Sequence, residues 1–303
     1  MGATLGRIRE SRPAETTPRR ALGIVLSGGG SRGIAHIGVL RALLEHGIVP
    51  DCVAGVSAGA IVGALYASGY PPAKMLEFFR KTDPFRFANV AFSKPGIWDT
   101  AKFVPAFRRW FPDDSFAALR RPLRILATDL QRGEAVVFDR GPLILPLLAS
   151  SSVPMVFSPT EIDGRWYGDG GIVDNFPARL IAGQCDLLLG VHVSPMREVT
   201  SDQLGNSLNV LERALEVGMF ARAKEEFSRC ELVLRPAGLE KFSLFETKRL
   251  AEIEAAGYAE AKARMPQIER LAKVVGSLAS AAAPPQWMAT DAAASEPSPK
   301  GKA

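Results

Sequence analysis

The chain has 303 residues, 47% hydrophobic and 23% charged, a balance that is ordinary for a globular protein and supplies a core large enough to stand without cross-links. Its three cysteines form no CxxC pair and its three histidines share no metal-ligand spacing, which argues against a disulfide framework, a structural zinc site and a histidine metal centre. The net charge of +5 comes with no zinc finger, zipper or aromatic-basic RNA motif, and no run approaches the roughly 18 apolar residues that span a bilayer, so nucleic acid as a partner and a membrane span are both disfavoured.

Residues 1–20 hold five Arg against two Glu and no apolar stretch, which predicts a disordered arm rather than a secretory leader. The expected location is cytoplasmic, with weak adhesion to anionic lipid as the sharper reading of the arm. An ordered body is expected over 21–280. A strand over 22–27 runs into Ser27-Gly28-Gly29-Gly30-Ser31-Arg32-Gly33, and a helix over 33–46 follows, closed by Gly47. A second strand, 52–56, runs into Gly55-Val56-Ser57-Ala58-Gly59 and a helix over 58–68, and a further helix covers 72–81. Between 85 and 116 stand nine aromatic residues with interleaved cations, read as a cap over about 83–116. Its rings, Phe87, Phe92 and Trp98 among them, either form the core of that cap or line an acyl channel and touch a lipid surface. Strands at 123–130 and 135–138 precede a helix at 142–150. Asp163-Gly164 reads as a turn between EI and RWY, ahead of Gly168-Asp169-Gly170-Gly171. A helix at 177–184, a strand at 187–193, a long helix at 207–228, a strand at 231–234 and a helix at 247–264 complete the body. Residues 281–303, rich in Ala, Pro and Ser, predict a disordered tail. Strand alternating with helix predicts an α/β fold with a mostly parallel sheet covered on both faces.

The glycine loop removes every Cβ from a strand-to-helix turn, so several backbone N–H groups face one space beside a helix N-terminus. That suits a phosphate or a transient oxyanion. Gly28, Gly30 and Gly33 also satisfy G-x-G-x-x-G. The acidic residue that a dinucleotide site needs, Asp51, precedes the second strand and so sits at the wrong end of it. Ser57 lies in a G-x-S-x-G turn after the neighbouring parallel strand, which places its hydroxyl at the same sheet edge as the loop. Two bases are open to it: His192, in the order Ser57, then Asp129 or Asp169, then His192, or Asp169 acting directly.

Four segments together resemble the patatin-like phospholipase family: GGGSRG, GVSAG, the stretch from Ala149 to Pro159 (ASSSVPMVFSP), and Asp169-Gly170-Gly171. The resemblance implies a three-layer α/β fold and a Ser57–Asp169 dyad in which Ser57 is the nucleophile and Asp169 the proton acceptor, with no catalytic histidine. It implies an oxyanion hole in the loop of Gly28, Gly29, Gly30, Arg32 and Gly33, with Arg32 ordering it, and a helix behind the dyad. The implied activity is hydrolysis of acyl esters in phospholipid, lysophospholipid or acylglycerol, without cofactor or metal. His36, His46 and His192 then become structural. An acyltransferase using the same dyad and a non-catalytic lipid-binding regulator are the alternatives.

Overall fold

The alternating strands and helices build a single eight-stranded sheet in the computed structural model, which describes residues 20–82 and 95–274. The strands are β1 (Arg20–Leu26), β2 (Cys52–Val56), β3 (Leu123–Asp129), β4 (Glu134–Phe138), β5 (Thr160–Ile162), β6 (Arg165–Asp169), β7 (Cys185–Val191) and β8 (Leu232–Leu234). Five of them run parallel in the order β3-β2-β1-β7-β8, and β4 and the β5–β6 hairpin join antiparallel at the β3 side.

The helices are α1 (Ala35–Glu45), α2 (Ala58–Ala67), α3 (Pro72–Lys81), α4 (Val104–Arg108), α5 (Ile144–Ser150), α6 (Ser207–Glu226) and α7 (Leu250–Val274). Strand periodicity divides the core between the two faces of the sheet. Leu22, Ile24 and Leu26 of β1 and Leu187 and Leu189 of β7 enter the larger core with α1, α2 and α7. Val25, Cys52, Ala54 and Leu188 point the other way, against Phe176, Ile181 and Ala223 of α6. The result is three layers, α/β/α, with the carboxyl ends of β1, β2 and β7 at one edge.

One register positions the site. β4 covers one edge of β3 over residues 125–129. The opposite edge is therefore shared, residues 123–126 pairing with β2 and 127–129 with β6. Because β2 runs with β3 and β6 runs against it, the carboxyl ends of β2 and β6 meet head on.

Several expectations need correction. The helix expected over 177–184 is a single 3-10 turn, Ala178–Leu180, capped by Ile181, and the chain then turns through Gly183 at φ 82. The helix expected to end at 264 continues through Pro266 to Val274. Pro266 lies on the solvent face, where the loss of its hydrogen bond to the Lys262 carbonyl is best tolerated, while Ala261, Met265, Ile268 and Ala272 hold the other face in the core. The hairpin strands β5 and β6 flank the expected Asp163-Gly164 turn and lie outside the strands that the sequence predicts. α1 and α7 cross at very close range: a Cβ on Gly38 would stand 1.9 Å from the Glu254 carbonyl oxygen, and one on Gly257 1.9 Å from that of Ala35. The arm up to residue 19, the whole of the expected tail and the cap positions Phe85, Phe87 and Phe92 lie outside the described residues. Among the described residues, no helix is long and apolar enough to cross a membrane.

Candidate active site

β1 delivers the glycine loop, and side chains from distant parts of the fold fasten it. The Ser27 hydroxyl accepts from the Val193 N–H (3.0 Å), and the Ser27 carbonyl accepts from His36 Nε2 (2.8 Å). The Gly28 carbonyl takes the Ser194 hydroxyl (2.8 Å), and the Gly28 N–H donates to the Asn175 carbonyl at 3.3 Å. Beyond it, the Ser31 N–H and hydroxyl donate to the carbonyls of Leu244 and Ser243, both at 2.8 Å, and Arg32 Nε donates to that of Phe242 (2.9 Å). Arg32 is buried. Among the described residues the N–H groups of Gly29 and Gly30 meet no main-chain acceptor, whereas Gly33 lies inside the 3-10 turn Gly30–Ile34 that leads into α1.

Ser57 stands at the end of β2 with φ 53 and ψ −127, a conformation that L-residues adopt only when the surroundings enforce it. The Ser57 carbonyl accepts from Ala60 and Ile61 to begin α2, and its N–H donates to Ser150 Oγ (2.8 Å). The Ser150 hydroxyl in turn donates to the Leu126 carbonyl (2.6 Å), so the C-terminus of α5 buttresses the turn from behind.

Asp169 ends β6, opposite Ala127. Its N–H donates to the Ser152 carbonyl (2.9 Å), and its own carbonyl accepts from the Thr128 hydroxyl (2.8 Å). Oδ1 accepts from the Gly171 N–H (2.7 Å). Burial pushes the carboxyl up to about 6, opposed by hydrogen bonds from the Ser57 hydroxyl and from Gly171. The head-on meeting of β2 and β6 thus brings the two predicted residues together.

The triad alternative is not assembled. Asp129 is held by Arg165 (3.0 Å) and by the N–H groups of Gln131 and Arg132. The His192 ring lies among Phe176, Phe220 and Phe227 at the β7–β8 side, and burial pushes it down to about 3. His36 is buried and neutral, pushed down to about 4, and His46 joins Glu269 and Lys262 on the surface of α7. Asp51 accepts from the Leu22 N–H at the far end of β2, as expected.

A cavity of about 340 Å³ opens at Ser57. Phe78, Phe103 and Phe107 wall it, and Phe245 and Arg80 stand at its more exposed parts. Within the described part of the expected cap, Phe103 and Phe107 belong to the core and also line the cavity, while Phe111 and Phe116 are core alone. Two participants were missed in the sequence. Asn175, fully buried beside the loop, is a lone amide with no motif to mark it. The 244–250 wall of the cavity lies at and just before the start of the helix expected over 247–264, with nothing in the sequence to mark it as part of the site.

The family model described as patatin-like phospholipase matches residues 24–182. The chain is 36% identical over 207 residues to an uncharacterized NTE family protein of Mycobacterium tuberculosis, covering 66% of this chain and 57% of that protein. It is 30% identical over 200 residues to lysophospholipase NTE1 of Candida glabrata, covering 63% of this chain and 11% of that one. Human GIVD cytosolic phospholipase A2, solved with methyl gamma-linolenyl fluorophosphonate and terbium chloride, superposes with a TM-score of 0.49 at 11% identity, over 89% of this chain and 61% of that one. The chain spans little more than half the length of the mycobacterial relative.

Proposed function

Because the chain belongs to the patatin-like phospholipase family, we propose that it is a serine hydrolase that cleaves acyl esters of lipids through Ser57 and Asp169. The Ser57 oxygen attacks the ester carbonyl while its proton passes to the Asp169 carboxylate. The amides of Gly29 and Gly30, next to that of Gly28, hold the oxyanion, each donor worth roughly 3 kcal/mol in comparable sites. The proton then goes to the departing alkoxide, and water repeats the sequence on the acyl-enzyme. The apolar cavity at Ser57 has room for one acyl chain. Phospholipid, lysophospholipid and acylglycerol all fit this reading. Ile97, Met155 and Phe245 are exposed apolar residues on segments that border the cavity, and with the exposed Arg80 at its lining they suit transient contact with an anionic lipid surface.

The observation that carries the reading is the junction of β2 and β6, which sets a buried carboxyl against the hydroxyl of a strained serine. Ser57→Ala is expected to abolish turnover of p-nitrophenyl acyl esters and labelling by a fluorophosphonate probe, with a nearly unchanged melting temperature. Full turnover in that variant would overturn the assignment.

A further inference from the structure

Asn175 is 1% exposed, and its side-chain oxygen Oδ1 has no hydrogen-bond donor among the described residues. A Cβ placed on Gly28 would stand 2.2 Å from that oxygen and 3.2 Å from Ser57 Cβ. One placed on Gly171 would stand 2.9 Å from it and 3.0 Å from Asp169 Oδ1. The amide oxygen is thus wedged between the glycine loop, the serine and the aspartate. A buried acceptor with no donor is unfavourable, and the Asp169 carboxylate lies on the other side of the space that Gly171 leaves open. On the aspartate side of this place a donor arises when Asp169 carries a proton.

We propose that Asn175 is a positioning residue whose side-chain oxygen accepts the O–H of Asp169 once that carboxyl has taken the serine proton. The inference rests on the hydrolase reading above. As the Ser57 Oγ–C bond forms, the Oγ–H bond breaks and its proton becomes the Asp169 O–H. In the tetrahedral adduct Oγ is an ether-type oxygen bound to carbon on both sides, a weak acceptor, so the new O–H turns to Asn175. When the proton passes to the leaving alkoxide, the amide oxygen is again without a donor, and deacylation by water repeats the cycle. The hydrogen bond exists only in the protonated intermediate and the transition states beside it, which is where it accelerates the reaction.

The test reads the Asp169 carboxyl by carbon-13 NMR titration of the resting full chain, with Asp169→Asn identifying the signal. No charged side chain contributes to the displacement of that carboxyl; the carboxylates of the flanking segments, Asp129 and Asp174, are held by Arg165 and Arg179. Asn175→Leu removes the acceptor and is expected to lower the Asp169 midpoint by about one pH unit, because the neutral acid loses its partner. Asn175→Asp adds a neighbouring charge and is expected to raise it by about as much. Asn175→Ala replaces the leucine variant should the latter fail to fold, with the same downward shift expected. In the steady state Asn175→Leu should lower kcat about tenfold at constant KM, a factor of ten being the size of one transition-state hydrogen bond. Unmoved midpoints, or shifts of one sign in both variants, would overturn the proposal even if activity fell. Opposite shifts in a chain whose parent hydrolyses no ester would sink the hydrolase reading instead, since the titration needs no turnover.

Discussion

The burial of Asp169 makes the pH at which the site becomes competent a property of one side chain. With its carboxyl pushed up to about 6, the proposed base is ionised chiefly above that pH, and log kcat/KM is expected to rise with unit slope below about pH 6 and to level above it. The same displacement governs stability. Folding favours the protonated form, so its contribution is fully present below the ordinary carboxylate range and is lost as pH rises through about 6. Asp169→Asn keeps the shape and loses the titration. It is therefore expected to melt at the same temperature as the parent at pH 4 and higher at pH 8, by about 3 kcal/mol at the upper end. A variant less stable than the parent at pH 8 would contradict this account. His192, neutral over the same range among its three phenylalanines, leaves the activity profile to Asp169, and comparing variant with parent at one pH cancels what buried His192 and His36 add to stability.

Among the elements, the parts legible in the sequence are those whose cause is local. β1 and β2 end where apolar runs meet glycine, and α3 starts at Pro72 and stops at Lys81 as its periodicity predicts. The loop and the serine turn were readable for the same reason. What escaped depends on neighbours distant in the chain. β6 is five residues long and takes its meaning from sharing one edge of β3 with β2. Asn175 matters because Gly28 and Gly171 leave room for its amide. The α1–α7 crossing is of the same kind. Gly38 and Gly257 sit 219 positions apart, and each allows the other helix's backbone to approach. Gly257→Ala should force the helices apart and lower stability by about 3 kcal/mol, read as a reduced urea midpoint with an unchanged slope. An unchanged midpoint would show that the crossing yields freely.

At the scale of the molecule, the family match ends at residue 182, while the sheet does not. β1, which carries the glycine loop, pairs along its whole length with β7, and the loop is pinned from Val193, Ser194 and the 242–244 segment. A chain ending at residue 182 keeps Ser57 and Asp169 but leaves β1 as an open apolar edge. It is expected to be recovered aggregated, and a soluble truncated chain that still accepts the fluorophosphonate would refute the dependence. The clasp of Ser31 and Arg32 onto the 242–244 carbonyls has a consequence in time as well as in space. Synthesis proceeds from the amino end, so a nascent polypeptide exposes its nucleophile some 185 codons before the clasp can close. On the proposed function a ribosome-bound intermediate is expected to be inert toward lipid, its hydroxyl becoming reactive only after translation has passed the residues that hold the loop in shape.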